Sequence, residues 1–393
     1  MKLLIISHTP HYRRANNIVG WGPTVREIDY LAGLFDSVVH IAPCHSSGPP
    51  RSAMPYQMAN IELHPVQPAG GDRLRDKFAI LSAYPTYLQA FRERIKDCDM
   101  VHVRCPANIS LLAIVYLVFK HRPRYRWIKY AGNWQPENRR PLSYTLQRRL
   151  LQRGLPGGVV SVNGSWPGQP PHIYSFENPA LTGAELRRGR LAGQNKNLAP
   201  PYKFLFVGAT NESKGVGRVI QIAHRLDQLG IPLELDLVGN GPERPDFENL
   251  ARRLQIDGLT TFHGWLPRPD LAPFYQSAHF LLHPSASEGG PKVVSEAMAY
   301  GVVPLAGAVS SLPEVLNETK AGTAIPFDDI AAFVRVIRSY LDQPQKWQSA
   351  SQAGLAAAGR FSYRHYLDSL QQMFADAWGL SLAPNGVVQD KYD

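Results

Sequence analysis

Two acids are the residues of this sequence best placed to do chemistry. In HPSASEGGPKVVSEAMAYG (283–301), Glu288 follows a Pro-Ser turn and Glu296 comes eight positions later, inside a helical pattern. The helical part alone rises about 9 Å. That is too far for the paired carboxylates of a retaining glycosidase, which stand about 5 Å apart. The spacing suits a clamp instead. A loop carboxylate would lie near a sugar ring, and the Gly289 and Gly290 N–H groups and the helix start Pro291-Lys292-Val293 beneath a phosphate. The deeper carboxylate would then accept from ribose hydroxyls. Lys214 lies in GATNESKG (208–215) and, taken by itself, reads as a solvated lysine. The segment is not an ATP phosphate loop, because no glycine precedes the lysine and no Ser or Thr follows it. Asp97-Cys98-Asp99 has the D-x-D form of a metal site, but it precedes a strand and reads as a turn with solvated acids. The 13 His show no metal spacing, and Cys44, Cys98 and Cys105 fit neither a zinc site nor a disulfide framework. No metal and no cofactor is expected.

The elements that must position these residues alternate from the first residue. Apolar runs at 3–7, 37–42, 61–64, 100–103, 127–130, 159–162 and 172–175 read as strands, with helical patterns such as Thr24–Leu34, Leu81–Ile95 and Ser143–Arg153 between them. Residues 183–201, GAELRRGRLAGQNKNLAPP, lack apolar periodicity and read as a linker. The alternation then restarts with strands at 203–207, 233–238, 259–262, 279–283, 302–305 and 322–325. This predicts an α/β chain of two doubly wound, parallel-sheet Rossmann-like domains, at 1–182 and 202–361, with ligand in the cleft they face. A helix at 362–380 is expected to pack back on the first domain, and 381–393 to be a tail.

The charge is polarised. Before residue 201 there are 26 Lys and Arg against 12 Asp and Glu; after it, 16 against 20. An anionic partner of the first half is expected, and a lipid headgroup, a phosphorylated acceptor or a nucleic acid would each satisfy the field. No apolar run approaches the roughly 20 residues of a membrane helix, and the opening MKLLIISHTPHYRR reads as a strand rather than a signal peptide. A cytoplasmic protein is expected, peripheral at the membrane face through its basic first domain.

Residues 283–316 resemble the E-x7-E region of family-4 retaining glycosyltransferases of the GT-B fold, the group that includes glycogen-synthase-like and mannosyltransferase-like enzymes. The resemblance continues through FLFVGATNESKG, LDLVGNGPE, FHGWLPRPDLAPFYQSAHFLLHPS and AGTAIPFDD, and is weaker in the first half. It implies a retaining, metal-independent transferase moving a sugar from a UDP- or GDP-sugar to a glycan or lipid-linked acceptor. Glu288 would contact the donor sugar, Glu296 the ribose, and Lys214 the diphosphate. Gly208, Gly239 and Gly241 would line the nucleotide and Trp265 would border the base. In the first half, a loop at Gly20 and Gly22 and the strand end DMVHVRCP would face the acceptor, with His102 and Arg104 in the cleft. Three positions depart from the family pattern: Ala209 where an Arg is usual, Arg104 where a second His is usual, and Ser310-Ser311 for a glycine pair. The departures keep open a noncatalytic sugar-nucleotide-binding scaffold. A sugar-nucleotide epimerase of similar fold would also fit the motifs. Charge alone would allow a nucleic-acid binder, but no recognised nucleic-acid module accompanies it.

Overall fold

The computed structural model describes residues 1–14, 17–70, 74–136 and 141–382, with the side chains of 74–79 left aside. The basic residues Arg73, Arg139 and Arg140 and the tail from 383 on lie outside the described residues. The chain divides into two units, Met1–Phe176 with residues from Leu367 on (unit 1), and Glu177–Tyr366 (unit 2).

Unit 1 is built on one sheet of strands β1 (Lys2–Ile6), β2 (His11–Arg14), β3 (Asn17–Trp21), β4 (Ser37–His45), β5 (Ala53–Pro55), β6 (Ile61–Val66), β7 (Met100–Cys105), β8 (Tyr125–Tyr130), β9 (Val159–Asn163) and β10 (Ile173–Phe176). Seven run parallel in the order β6-β4-β1-β7-β8-β9-β10. A central parallel strand is covered on both faces, and every residue of β7 is buried. That burial decides the fate of His102 and Arg104 below. Strands β2, β3 and β5 form a small ribbon whose β2–β3 and β3–β5 pairings are antiparallel. It replaces the expected glycine loop. Gly20 lies in β3, where a Cβ would stand 2.6 Å from His11 Nε2; Gly22 starts helix Gly22–Ala32, where a Cβ would stand 2.6 Å from Ser52 O. Both glycines permit close packing of the ribbon. In helix Tyr363–Trp378, Phe374 packs on Trp127 and Trp378 on Tyr125, with ring centroids 5.7 and 5.2 Å apart.

Unit 2 carries β11 (Tyr202–Val207), β12 (Leu233–Val238), β13 (Thr260–Gly264), β14 (Phe280–His283), β15 (Val303–Gly307) and β16 (Thr323–Ile325), all parallel. Their order is β13-β12-β11-β14-β15-β16. Helix Val216–Gln228 turns Val216, Val219, Ile220, Ala223 and Leu226, one 3.6-period face, onto Phe204, Phe206 and Phe280.

The stretch expected to be a linker is instead helical from Gly183 to Gln194. A capping box starts it: Glu185 N donates to Thr182 Oγ1 (3.1 Å) and Thr182 N donates to Glu185 Oε2 (2.9 Å). It packs through glycines rather than apolar side chains, which is why periodicity missed it. A Cβ on Gly189 would lie 2.3 Å from Ala299 O.

Candidate functional site

In a doubly wound sheet, ligands bind beyond the carboxyl ends of strands where the strand order reverses. In unit 2 that point lies between β11 and β14. Lys214 follows β11, Glu288 follows β14, and Lys214 Nζ donates to Glu288 Oε1 across the switch at 2.6 Å. The two loops are stitched together: Ala286 N donates to Ser213 O (3.0 Å) and Arg218 Nε to Pro284 O (3.0 Å). Gly215, at φ +84°, lies so close to Pro284 that a Cβ would be 2.3 Å from its carbonyl. Asn178 Nδ2 holds the Gly290 carbonyl at 2.6 Å.

Glu288 Oε1 also accepts from His283 Nε2 at 2.9 Å, so one carboxylate oxygen is shared by an ammonium and an imidazole. Burial alone would raise the Glu288 carboxyl; the contacts with His283 and Lys214 outweigh it and bring the pKa down to about 2. The sign follows. A carboxyl held below its ordinary 4.5 contributes stability above that pH, roughly 3 kcal/mol, which is lost as pH falls toward 2. Acid titration of unfolding should therefore show a Glu288→Gln variant losing less stability than wild type between pH about 4.5 and 2; parallel curves would contradict the pairing.

Glu296, the deeper carboxylate expected to accept from ribose hydroxyls, is held by its own unit. It is 6% exposed, with Oε1 against Arg268 Nη1 and Oε2 accepting from Tyr275 OH at 2.8 Å. Arg268 also binds Glu185 and the Ala180 carbonyl. Two of the roughly four acceptor positions of the carboxylate are therefore taken by unit 2 itself. The glycines differ as well. Gly239 sits at φ +144°, and a Cβ there would fall 1.7 Å from Gly208 O; one on Gly241 would fall 2.2 Å from Thr210 O. Their close approach is to the neighbouring loop. A Gly239→Ala variant should lose at least about 3 kcal/mol in urea unfolding; wild-type stability would contradict this. Gly289, Gly290, Pro291, Lys292, Val293 and Trp265 are all half-buried around the same strand ends. Ala209 is exposed and adds no cation. Ser310 takes a backbone with φ +54°, which glycine adopts freely, so the loop keeps its course there; Ser311 is buried.

In unit 1 the expected cleft residues are enclosed. His102 is fully buried, stacked on Trp127 at 3.6 Å between centroids, and burial holds its pKa well below the ordinary value. Arg104 grips Glu27 with both terminal nitrogens (2.7 and 3.2 Å), and Lys129 Nζ donates to the same carboxylate at 2.7 Å. Arg104 is thus a member of a buried ion cluster rather than an open anion ligand, because β7 is covered on both faces. Among the described residues no group of His, Cys, Asp and Glu could hold a metal ion. Asp99 caps the backbone instead, accepting from Lys2 N at 2.8 Å.

His283, Arg268, Tyr275 and Arg218 were not singled out from sequence. His283 ends the strand before the Pro-Ser turn, and only the fold shows that its imidazole turns back onto Glu288.

Residues 190–357 match the family described as "Glycosyl transferases group 1". A D-inositol 3-phosphate glycosyltransferase of Mycolicibacterium paratuberculosis is 32% identical over 167 residues, covering 42% of this chain and 38% of that protein. The putative colanic acid biosynthesis glycosyltransferase WcaL of Escherichia coli is 24% identical over 151 residues, 37% of each chain. The chain thus matches about two-fifths of the length of these curated relatives. Among solved structures, sucrose-phosphate synthase from Thermosynechococcus elongatus aligns with a TM-score of 0.71 at 18% identity, over 96% of this chain and 99% of that one. Anabaena HepE in complex with UDP and glucose aligns with a TM-score of 0.66 at 15% identity, over 96% and 100%. At such identities the likeness is one of fold, the GT-B fold of two Rossmann-like units. Residues 190–357, which carry Lys214, Glu288 and Glu296, thus match the glycosyl transferases group 1 family, within a chain of GT-B fold.

Proposed function

We propose that this chain is a retaining, metal-independent glycosyltransferase that moves a sugar from a UDP- or GDP-sugar to a glycan or lipid-linked acceptor. The observation that carries the reading is the Lys214–Glu288 pair across the topological switch of unit 2. A diphosphate leaving group gains negative charge as the glycosidic bond breaks, and a fixed ammonium beside it stabilises that charge where a metal would otherwise serve. One of the three N–H donors of Lys214 is taken by Glu288 and its side chain is 30% exposed, so phosphate oxygens can reach the others. Glu288, held by His283, stays ionised and faces the sugar, and Glu296 reaches the ribose through its remaining lone pairs. The acceptor hydroxyl attacks on the face the diphosphate leaves, and a donor phosphate oxygen takes its proton. The names of the relatives include a phosphorylated acceptor, inositol 3-phosphate, and the basic first half of this chain suits an anionic one.

The test is thermal unfolding of the full chain with UDP-, GDP- and ADP-sugars. A donor at 100 times its dissociation constant adds about 2.7 kcal/mol. A shift with one nucleotide class that Lys214→Ala diminishes supports the reading. No shift with any donor overturns it, and donor binding without transfer or hydrolysis points to a scaffold.

A further inference from the structure

The strongest feature that the donor site does not use lies on unit 1, at the end of its sheet where the strands begin. Arg126, on β8, is 8% exposed, and its guanidinium is spent entirely on backbone. It donates to Leu117 O (2.8 Å), Pro123 O (3.0 Å), Pro156 O (2.6 Å) and Lys120 O. This clamp ties the end of helix Asn108–Val118 and the loop after it to the turn that follows helix Leu142–Gln152. Each of the two clamped segments presents an apolar side chain to water, Phe119 at 77% and Leu155 at 47% exposed. Helix spacing extends the apolar face from both. Val115, four residues before Phe119, is exposed; Leu142, Leu146, Arg149 and Arg153 form one stripe at 4-3-4 spacing, with Leu142 at 87%.

Cations ring these residues. Lys120, Arg122, Arg124, Arg149 and Arg153 are all exposed, and Lys120 and Arg124 lie over the rings of Tyr116 and Tyr125. Between Asp99 and Glu177 the sequence has one acidic residue, Glu137, so this stretch of chain is strongly basic. Exposed leucine and phenylalanine amid lysine and arginine is the composition of a surface that rests at a bilayer interface: the apolar groups enter the acyl boundary and the cations meet the headgroups. Aliphatic leucines offer nothing to a nucleic-acid base. No described helix is long and apolar enough to cross a membrane, so the contact is one of docking.

We propose that this Arg126-clamped edge, with Phe119 and Leu155 on it and the exposed stripe of helix Leu142–Gln152 leading away from it to Leu142, docks the protein on an anionic lipid bilayer. The inference rests on unit 1 alone and not on the donor reading. The full chain is sedimented with phosphatidylcholine vesicles, with and without phosphatidylglycerol, at low and high salt. Wild type should pellet with the anionic vesicles and be released by salt. Each cation near an anionic surface contributes about fivefold, so the triple variant Lys120→Gln, Arg122→Gln, Arg124→Gln should bind about a hundredfold more weakly. Phe119→Asn with Leu142→Asn, which leaves every charge in place, should weaken binding at least about tenfold. The substituted side chains are exposed, so unchanged melting temperatures confirm folding. Wild type that ignores phosphatidylglycerol, or a triple variant that binds like wild type, overturns the proposal. A triple variant that fails to bind beside an apolar variant that binds normally also overturns it, and marks the edge as a site for a soluble polyanion.

Discussion

A Lys214→Ala variant should lose sugar transfer by a factor of roughly 10² to 10³ in kcat, the usual cost of removing one preorganised donor from developing charge. Its stability should fall by only the smaller part of the roughly 3 kcal/mol that the Glu288 contacts contribute, since His283 supplies the larger share. Lys214 is part-exposed, and Glu288 keeps its hydrogen bond from His283 when the ammonium is removed. The two readouts separate chemistry from folding. If Lys214 acts on the leaving diphosphate, kcat and kcat/KM fall together; if it only anchors the donor, KM rises while kcat stands. Charge without reach is tested by Lys214→Arg, whose planar fork cannot reproduce a compact ammonium between Glu288 and a phosphate, and which should recover little. Replacing His283 by leucine gives the complementary result. The imidazole is 2% exposed, so its loss leaves Glu288 with Lys214 as its partner from this trio. The carboxylate should then follow Lys214 toward the donor, with transfer reduced about tenfold and the acid limb of the pH profile moved upward, since one of the contacts that keeps Glu288 ionised is gone. A His283→Gln variant, which can present an N–H in a similar place, should recover part of both. Full activity in Lys214→Ala under saturating donor would remove Lys214 from the mechanism.

What could be read from sequence follows from how each feature is encoded. The strands of both parallel sheets are near-continuous apolar runs, because both faces are covered, and such runs are visible without any partner. The ribbon of β2, β3 and β5 has no such signature: HYRR and NIVGW are held by backbone pairing and by Gly20 against His11. The helix Gly183–Gln194 escaped detection for a related reason, since its contacts are made by Gly189 and Gly193, which add nothing to a hydrophobic pattern. In the site, Glu288 and Glu296 were legible as a spacing of residue types, and Lys214 only through the family resemblance. Their partners were not, because Arg268, Tyr275 and His283 reach the acids across the fold of unit 2. Arg104 shows the opposite failure. A cation at a strand end looks open to ligand in one dimension, whereas helix Gly22–Ala32 brings Glu27 over it in three.

That cluster supports the second large effect. Glu27→Leu should cost unit 1 about 3 to 5 kcal/mol, the penalty for breaking a buried ion pair by removing one partner. The side chains of Glu27 and Lys129 are each 3% exposed and that of Arg104 is 11% exposed, so water cannot replace the lost carboxylate. For a unit of this size the loss corresponds to a fall in melting temperature of about 6 to 20 °C. The direction of the Lys129 pKa explains why the carboxylate matters: burial lowers the ammonium to about 8 from 10.5, Glu27 pulls it back up, and Arg104 pushes it down. A lysine whose folded pKa lies below its unfolded one binds its proton less tightly when folded. Wild-type stability should therefore rise as pH climbs from about 8 toward 10.5, as the unfolded chain retains the proton that the folded one releases. In Glu27→Leu the folded pKa drops further, the window opens at lower pH, and the deficit against wild type shrinks as pH rises through it. A second change, Lys129→Met in the Glu27→Leu background, removes one of the two cations that faced Glu27 and should recover part of the loss, giving a favourable coupling in the double-mutant cycle. Urea unfolding of the four proteins at pH 7 and pH 9.5 measures all three quantities, and a Glu27→Leu variant within about 0.5 kcal/mol of wild type would show that the cluster contributes no net stability.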